Sequence, residues 1–479
     1  MSGCRFTFAA FLALLTVVAN PVRSLAADAP PPAVGEQIEL KREAAGKELT
    51  VEDAVRNALE NHPSIKQARE RVGAQAAVLR QQFAAYYPTI TIRNTFTDFT
   101  DTGLRSTDVD KQFVEVSPTF NFILYNFGKR EGTVQAARET LSATQYNLKT
   151  TADSVVLGVK QAYYSYLQAI ALVRVREETV RDRDLIVRQA QAFYDVGTRA
   201  KIDFVRAQSN LFSAQSDLIA AQNNMKVAWV TLKNAMGLPD LPERPVATVT
   251  SDQVEKFSVT TFPLNLEQAR SQAFDIRPEL LSFKAQLRAQ DQVIATNRRG
   301  HLPDLTLDAN AGWSNTTGDS SCRSILVNNP ATNIVTSRST CTTPRPLFPL
   351  DSSWQVQLNF TIPIFDGFRT TNRVAESVRI YYAVKAQAEQ QKQQVALEVE
   401  QGYANLVSAQ ERIKATRAAE QAARENLELA NGRYQVGVGS IIEVTDAQAL
   451  YVSAEVDYVN SLYNSKIAEA QLLRAVGTP

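Results

Sequence analysis

Gly128-Lys129-Arg130-Glu131-Gly132 opens a stretch that runs to Phe193-Tyr194-Asp195-Val196-Gly197-Thr198 with no proline and only Gly158 as a further glycine before the closing Val-Gly. A helix over residues 128–194 would be roughly 100 Å long at about 1.5 Å of rise per residue. Ordinary globular helices have about 11 residues. The chain contains such a stretch twice, because residues 368–434 are also free of proline and close on Tyr434-Gln435-Val436-Gly437-Val438. A compact soluble enzyme has little use for two helices of this length.

Working outward, a fixed shift of 240 maps the chain from Tyr125 onward on its second half. Asn126 falls on Asp366, Val159 on Val399, Gln161 on Gln401 and Tyr163 on Tyr403. Tyr194, Val196 and Gly197 fall on Tyr434, Val436 and Gly437, and Gly237 on Gly477. Upstream the shift is 215, matching Pro63 with Pro278 and Tyr87-Pro88-Thr89-Ile90 with Leu302-Pro303-Asp304-Leu305. Self-similarity of this kind reads as a tandem duplication. The second half is 25 residues longer between Pro303 and Phe365, a window that holds Cys322 and Cys341.

Each half predicts the same elements. A short helix opens at Thr50, with Asp53 three residues on as a cap partner, and its counterpart opens at Asn265. A helix of about 23 residues follows Pro63 or Pro278, a residue suited to a first helical turn, and stops before the next proline. Two strands with period-two alternation come next: about 89–99 and 113–124 in the first half, about 304–314 and 354–364 in the second. Residues 315–353 form a loop between the second pair. The long helix, 128–194 or 368–434, then turns at Val-Gly, where glycine supplies a left-handed residue. Return helices run over 203–236 and 443–476. The repeats thus span 49–239 and 264–477, with an N-terminal segment 28–48 and a linker 240–263.

The address is legible at the start. Arg5, an apolar run from Phe6 to Val18 and Ser24-Leu25-Ala26-Ala27 make a secretory signal over residues 1–27. Without it the chain carries 49 basic and 50 acidic residues, a balance that offers nothing to nucleic acid. No later apolar run approaches the 18 or so residues of a membrane-spanning helix. In an oxidising compartment Cys322 and Cys341 read as a disulfide, since His62 and His301 are too distant in sequence to complete a metal site with them. No metal, cofactor or catalytic residue is predicted: there is no phosphate loop, no nucleophile elbow and no metal-spaced histidine or cysteine set.

Strands of about ten residues, apolar on one face and polar on the other, are what an outer-membrane barrel requires. Aromatic residues mark their ends: Tyr86, Tyr87, Tyr125, Phe127 and Phe365 on one side, Trp313 and Trp354 on the other. Four strands cannot close a barrel, and bare strand edges are not tolerated in lipid. Three copies, giving twelve strands, are the economical closure. The expected fold is therefore mainly α with a four-stranded β contribution, a trimeric 12-stranded outer-membrane β-barrel continued by a periplasmic α-helical barrel.

Several motifs then carry a family resemblance: His62-Pro63-Ser64-Ile65, Leu124-Tyr125-Asn126-Phe127-Gly128-Lys129-Arg130, His301-Leu302-Pro303-Asp304-Leu305, Pro363-Ile364-Phe365-Asp366-Gly367 and the two Tyr-x-Val-Gly turns. In order and spacing the chain resembles the TolC-type outer-membrane efflux and secretion channels over residues 49–477. The resemblance implies a homotrimer in the outer membrane, in contact with its lipid. It also implies a tunnel that crosses the periplasm to an adaptor (membrane fusion protein) and an inner-membrane transporter, as in tripartite efflux or type I secretion. It assigns adaptor docking to Val196, Gly197, Thr198, Val436, Gly437 and Val438. It assigns the narrowing of the tunnel to an acidic pair three residues apart, here Glu425 and Glu428. The first-helix carboxylate that latches some members is Ala171 here, leaving Arg424, Gln421, Asp182 or Asp184 as substitutes. The rival reading is a periplasmic or cell-surface coiled-coil scaffold without a pore.

Overall fold

A computed structural model of the chain describes residues 49–102, 108–242, 263–316, 322–329, 334–341 and 350–478. The expected signal peptide (1–27), the N-terminal segment (28–48) and nearly all of the linker lie outside them. The chain divides into two compact units, Met1–Thr50 with Pro242–Thr248 and Val51–Leu241 with Val249–Pro479. Of the first unit only residues 49, 50 and 242 are described, and every helix and long strand among the described residues belongs to the second.

The second unit opens with α1 (Val51–Asn61), α2 (Pro63–Phe83), β1 (Thr89–Thr102), β2 (Asp108–Tyr125), α3 (Lys129–Asp195) and α4 (Lys201–Ala235). It continues with α5 (Leu266–Ile276), α6 (Pro278–Arg298), β3 (Asp304–Thr316), β4 (Cys322–Asn329), β5 (Ile334–Cys341), β6 (Asp351–Thr361), α7 (Arg369–Gln435) and α8 (Ile441–Val476). The two long helices, α3 and α7, contain 67 residues each, one residue downstream of the expected 128–194 and 368–434. The return helices start at Lys201 and Ile441 rather than at Asp203 and Glu443. Ser440 explains the second case, because its hydroxyl accepts the amides of Ile442 (3.2 Å) and Glu443 (3.3 Å), so serine caps the helix from the position before Ile441. Asn265 caps α5 through a reciprocal capping box with Gln268.

Each long helix is entered through two consecutive left-handed residues, and the halves use opposite solutions. Phe127 (φ 54°) precedes Gly128 (φ 82°), whereas Gly367 (φ 64°) precedes Phe368 (φ 63°). A left-handed phenylalanine costs about 1–2 kcal/mol. Ring packing offsets it: Phe127 lies 4.8 Å from Tyr125, and Phe368 lies 5.5 Å from Phe365, centroid to centroid. Asn126 accepts the Arg130 amide at 3.3 Å, and Asp366 accepts the Thr370 amide at 2.8 Å.

The four long strands form one antiparallel sheet in the order β1-β2-β3-β6, leaving β1 and β6 as edges. Register aligns their apolar residues on one face. Ile90 stands opposite Phe120, Phe120 opposite Ala309 and Ala309 opposite Val356; Phe122 stands opposite Leu307 and Leu307 opposite Leu358. The other face is polar, and Asp308 is its hub, accepting from Asn121, Asn359 and Thr306. β1 and β2 pair beyond the expected bounds, out to Thr102 opposite Asp108. The apolar alternation stops earlier, but backbone pairing does not depend on it. Strand β6 ends at Thr361 instead of Ile364, since Pro363 has no amide to donate to a ladder. The expected loop 315–353 contains a hairpin, β4–β5, in which Cys322 and Cys341 are Cα partners. Their side chains, and with them the disulfide, lie outside the described residues.

The helices bury thin seams instead of one central core. On α7, Val399, Leu406, Ile413, Glu420, Leu427 and Tyr434 are buried at seven-residue steps. On α8, Ile441, Gln448, Leu462 and Val476 are buried on the same period, with the half-buried Glu455 and Glu469 in the two intervening places. A period of 3.5 gives a left-handed coiled coil. At the other end, Arg277, 1% exposed, bridges Glu279 (2.9 Å) and Glu398 (2.6 Å), and Arg474 reaches the same two carboxylates. Burial alone would raise the Glu279 carboxyl, but hydrogen bonds and charge from Arg277 hold it below the usual range. This ring of four charges ties the α5–α6 junction to α7 and α8. Among the described residues no helix is long and apolar enough to cross a membrane.

Candidate functional site at the paired helix turns

The turn after α3 and the turn after α7 are built alike. Gly197 (φ 73°) and Gly437 (φ 83°) take the left-handed conformation. Their amides donate to Tyr194 O (2.9 Å) and Tyr434 O (3.1 Å), and the next amides reach back to Phe193 O and Arg433 O. This is the hydrogen-bond pattern that satisfies the last carbonyls of a helix. The construction leaves Val196, Val436 and Val438 about three-quarters exposed. The six residues Val196, Gly197, Thr198, Val436, Gly437 and Val438 therefore sit at the ends of the two helical hairpins as two small turns with outward apolar side chains.

Arg199 joins the turns. Its guanidinium donates to Gly437 O at 3.1 Å and Gly439 O at 2.8 Å, and lies 5.4 Å from the centre of the Tyr434 ring. Phe193 meets the same ring edge-on at 5.6 Å. Tyr434 is consequently buried, and desolvation pushes its hydroxyl above the ordinary tyrosine range. Tyr194, its match under the shift of 240, stays exposed. One motif thus has two environments, and only contacts between the hairpins distinguish them; no pattern around either tyrosine signals the difference.

Glu425 and Glu428 are exposed on the side of α7 away from Leu427 and Ala430, which are buried in the cluster behind the turns. Sequence reading missed the carboxylates in the seam itself. Ile413 packs with Leu462, Thr416 and Ser461 hydroxyls lie 2.9 Å apart, and Arg424 donates to the Tyr451 hydroxyl at 3.3 Å. These antiparallel pairings set Glu420 opposite Glu455. Glu420 is buried and ion-paired to Arg424 at 2.8 Å. Burial, then the negative charges of Glu178 and Glu420, push Glu455 up to about 7, with Asp182 adding and Arg424 opposing. Asp182 is itself raised by burial and Glu178. The heptad count would have revealed both seam positions. Among the expected substitutes for the latch, Arg424 is engaged with Glu420 and Tyr451, and Asp184 with Arg188.

At the sheet, Tyr87, Tyr125 and Phe365 are exposed near the helix end, and Trp354 with Trp313 lies toward the other. Tyr86 instead carries the Arg130 guanidinium 4.0 Å above its ring. Arg130 also donates to Ala85 O and Ile123 O, so it pins the strand ends to α3. Among the described residues no group of three or more His, Cys, Asp or Glu is arranged to hold a metal ion.

Comparison with known proteins accounts for this construction. The family described as "Outer membrane efflux protein" matches residues 54–238 and 269–478. The probable efflux pump outer membrane protein TtgC of Pseudomonas putida is 21% identical over 440 residues, covering 89% of this chain and 82% of that protein. The outer membrane protein TolC of Escherichia coli strain K12 is 24% identical over 337 residues, covering 69% and 62%. Among solved structures, CusC superposes with a TM-score of 0.73 at 20% identity, covering 91% of this chain and 94% of that one. VceC of Vibrio cholerae superposes with a TM-score of 0.69 at 18% identity, covering 89% and 96%. The chain belongs to the outer membrane efflux protein family, and its place is the outer membrane, from which it extends into the periplasm.

Proposed function

We propose that this chain is one third of a passive exit duct, recruited by a periplasmic adaptor and an inner-membrane transporter for tripartite efflux or type I secretion. The family is one of efflux channels rather than enzymes. The single observation that carries the trimer is the open sheet. Among the described residues β1 and β6 are unpaired edges of a four-stranded sheet whose apolar face, including Ile92, Phe96, Trp354 and Leu358, is exposed. Three such sheets, with β6 of one subunit joined to β1 of the next, close a twelve-stranded barrel and leave no edge in lipid. Their apolar faces then meet acyl chains, and the Asp308 face lines the lumen. Tyr87, Tyr125 and Phe365 form one interfacial belt and Trp313 and Trp354 the other, with Tyr86 held to Arg130.

In this reading the tandem duplication supplies two 67-residue helices per subunit, and with the shorter helices stacked in pairs these make the wall of the periplasmic tube. The turns at Val196-Gly197-Thr198 and Val436-Gly437-Val438 dock the adaptor through their exposed valines. Glu425 and Glu428 form acidic rings near the tip, which attract cations, and Cys322–Cys341 ties the hairpin of the extracellular loop. The protein extracted in detergent should have the mass of three chains. A monomer or a dimer at native-like detergent concentration would rule out the shared barrel.

A further inference from the structure

The two hairpins of one chain meet near their ends through residues of both repeats. Arg199 clasps Gly437 O and Gly439 O, and Phe193 stacks edge-on against Tyr434. Behind the turns all four helices enter one apolar cluster: Ile186 and Ala190 from α3, Ala207 from α4, Leu427 and Ala430 from α7, Ile441 and Val444 from α8. Farther along, the Gln168 amide donates to the Asn460 side chain at 2.8 Å.

The tandem duplication says what the matching joint between two chains contains. α3 packs on α4 and α8, and α8 packs on α7, so α4 and α7 are the outer helices of each chain. In a closed ring the α7 side of one copy meets the α4 side of the next, and the second repeat takes the part that the first plays inside the chain. Under the shift of 240, Arg199 is replaced by Gly439 and Phe193 by Arg433; facing them, Tyr434 is replaced by Tyr194 and Ile441 by Lys201. The clasp is gone, and a Cβ at Gly439 would lie 3.0 Å from the Arg433 carbonyl carbon, so no longer side chain fits there. Arg433 and Lys201, both exposed, bring like charges, which repel, to the place where Phe193 and Ile441 exclude water. Glu443 pairs with Arg433 at 3.4 Å, but from the same hairpin. The Gln168–Asn460 hydrogen bond becomes Ser408 facing Ala220, which offers it no side-chain partner. Higher on α4, Phe212 and Ile219 are exposed, and Phe212 is the counterpart of Val452, which faces α3. Apolar contact between chains therefore resumes away from the tip.

We infer that the helical tip parts between chains and not within them, each chain's two hairpins moving as one rigid body held by Arg199 and the shared cluster. This rests on the trimeric duct proposed above. Packed assemblies switch by rigid-body motion at a joint, and the weaker joint here is the like-charged one without a clasp. The contacts at Phe212 and Ile219 confine the parting to the turns nearest the tip.

The full-length protein, weighed in detergent and recorded in planar bilayers, tests this. Arg433→Phe with Lys201→Ile copies the within-chain joint into the seam between chains. It should cut open-state events per channel at least fivefold while the mass stays that of three chains; unchanged events at that mass would overturn the inference. Lys201→Cys with Arg433→Cys, joined by a short bismaleimide, should give covalently linked chains on a denaturing gel and channels that no longer open. Linkage confined to single chains, or linked trimers that open as before, would also overturn it. A monomeric mass before linking would instead remove the trimeric duct itself, so the two failures are told apart.

Discussion

Arg199 donates from a single guanidinium nitrogen to both Gly437 O and Gly439 O, so a side chain from the first hairpin holds the backbone of the second. Hydrogen bonds from charged groups are worth about 1.5–3 kcal/mol when buried, and the half-exposed position of Arg199 reduces that. Arg199→Met should loosen the pair of turns while leaving the helices formed. Amide exchange over residues 433–441 should accelerate by about tenfold, with exchange in the α5–α6 region unchanged. Equal acceleration in both regions would mean global destabilisation and not a tip contact.

Three positive-φ glycines predict a rank order of substitutions. At Gly197 and Gly437 a Cβ would meet nothing within 4 Å, so alanine carries only the backbone penalty, about 1 kcal/mol. At Gly237, also left-handed (φ 70°), a Cβ would come within 2.8 Å of His62 Cα. Gly237→Ala must therefore displace the start of α2 as well. Its melting temperature should fall by more than twice as much as that of Gly437→Ala. Equal shifts would show that the close approach is relieved without cost.

What the sequence disclosed and what it withheld divide along one physical line. The long helices, the strand faces and the Val-Gly turns depend on local pattern: absence of proline, alternation, a glycine after a heptad run. The Arg277–Glu279–Glu398–Arg474 ring depends on which helix packs on which, and no periodicity announces it. The same holds for Tyr434 against Tyr194. The β4–β5 hairpin lacked a signal because its strands do not alternate apolar and polar residues clearly. Apolar alternation continues through Pro363 to Ile364, but the missing amide of Pro363 ends pairing, and β6 stops at Thr361.

The charge ring makes its own prediction. Removing one member of a buried ion network leaves its partners uncompensated, at a cost of about 3–5 kcal/mol, whereas replacing a charge by a well-packed apolar residue can be far milder. Glu398 serves both arginines, Arg277 at 2.6 Å and Arg474 at 2.9 Å. Glu398→Ala should therefore destabilise the protein severely, by about 3 kcal/mol in denaturant unfolding followed by helical circular dichroism. The double variant Arg277→Met with Glu398→Leu should recover much of that loss. If the double variant is worse than the single one, the ring acts by more than charge compensation.

The seam between α7 and α8 predicts a pH dependence with a defined sign. Glu455 titrates at about 4.5 in an unfolded chain and is raised to about 7 in the fold by burial, Glu178, Glu420 and Asp182, against Arg424; Tyr451 on the same helix is neutral throughout this range, its hydroxyl being raised as well. Below about 4.5 both states hold the proton and the seam carries no penalty from this group. As pH rises toward 7 the folded chain keeps a proton that the unfolded chain has released, so stability falls, and it levels once Glu455 has ionised. Opening of the seam should therefore become easier between about pH 5 and 7, with amide exchange around residues 413–427 and 448–462, corrected for intrinsic rates, accelerating by up to about tenfold per unit. In Glu455→Gln that part of the slope should vanish. A slope unchanged in the variant would assign the pH response to other groups and leave Glu455 an ordinary ionised carboxylate in the Glu420 layer.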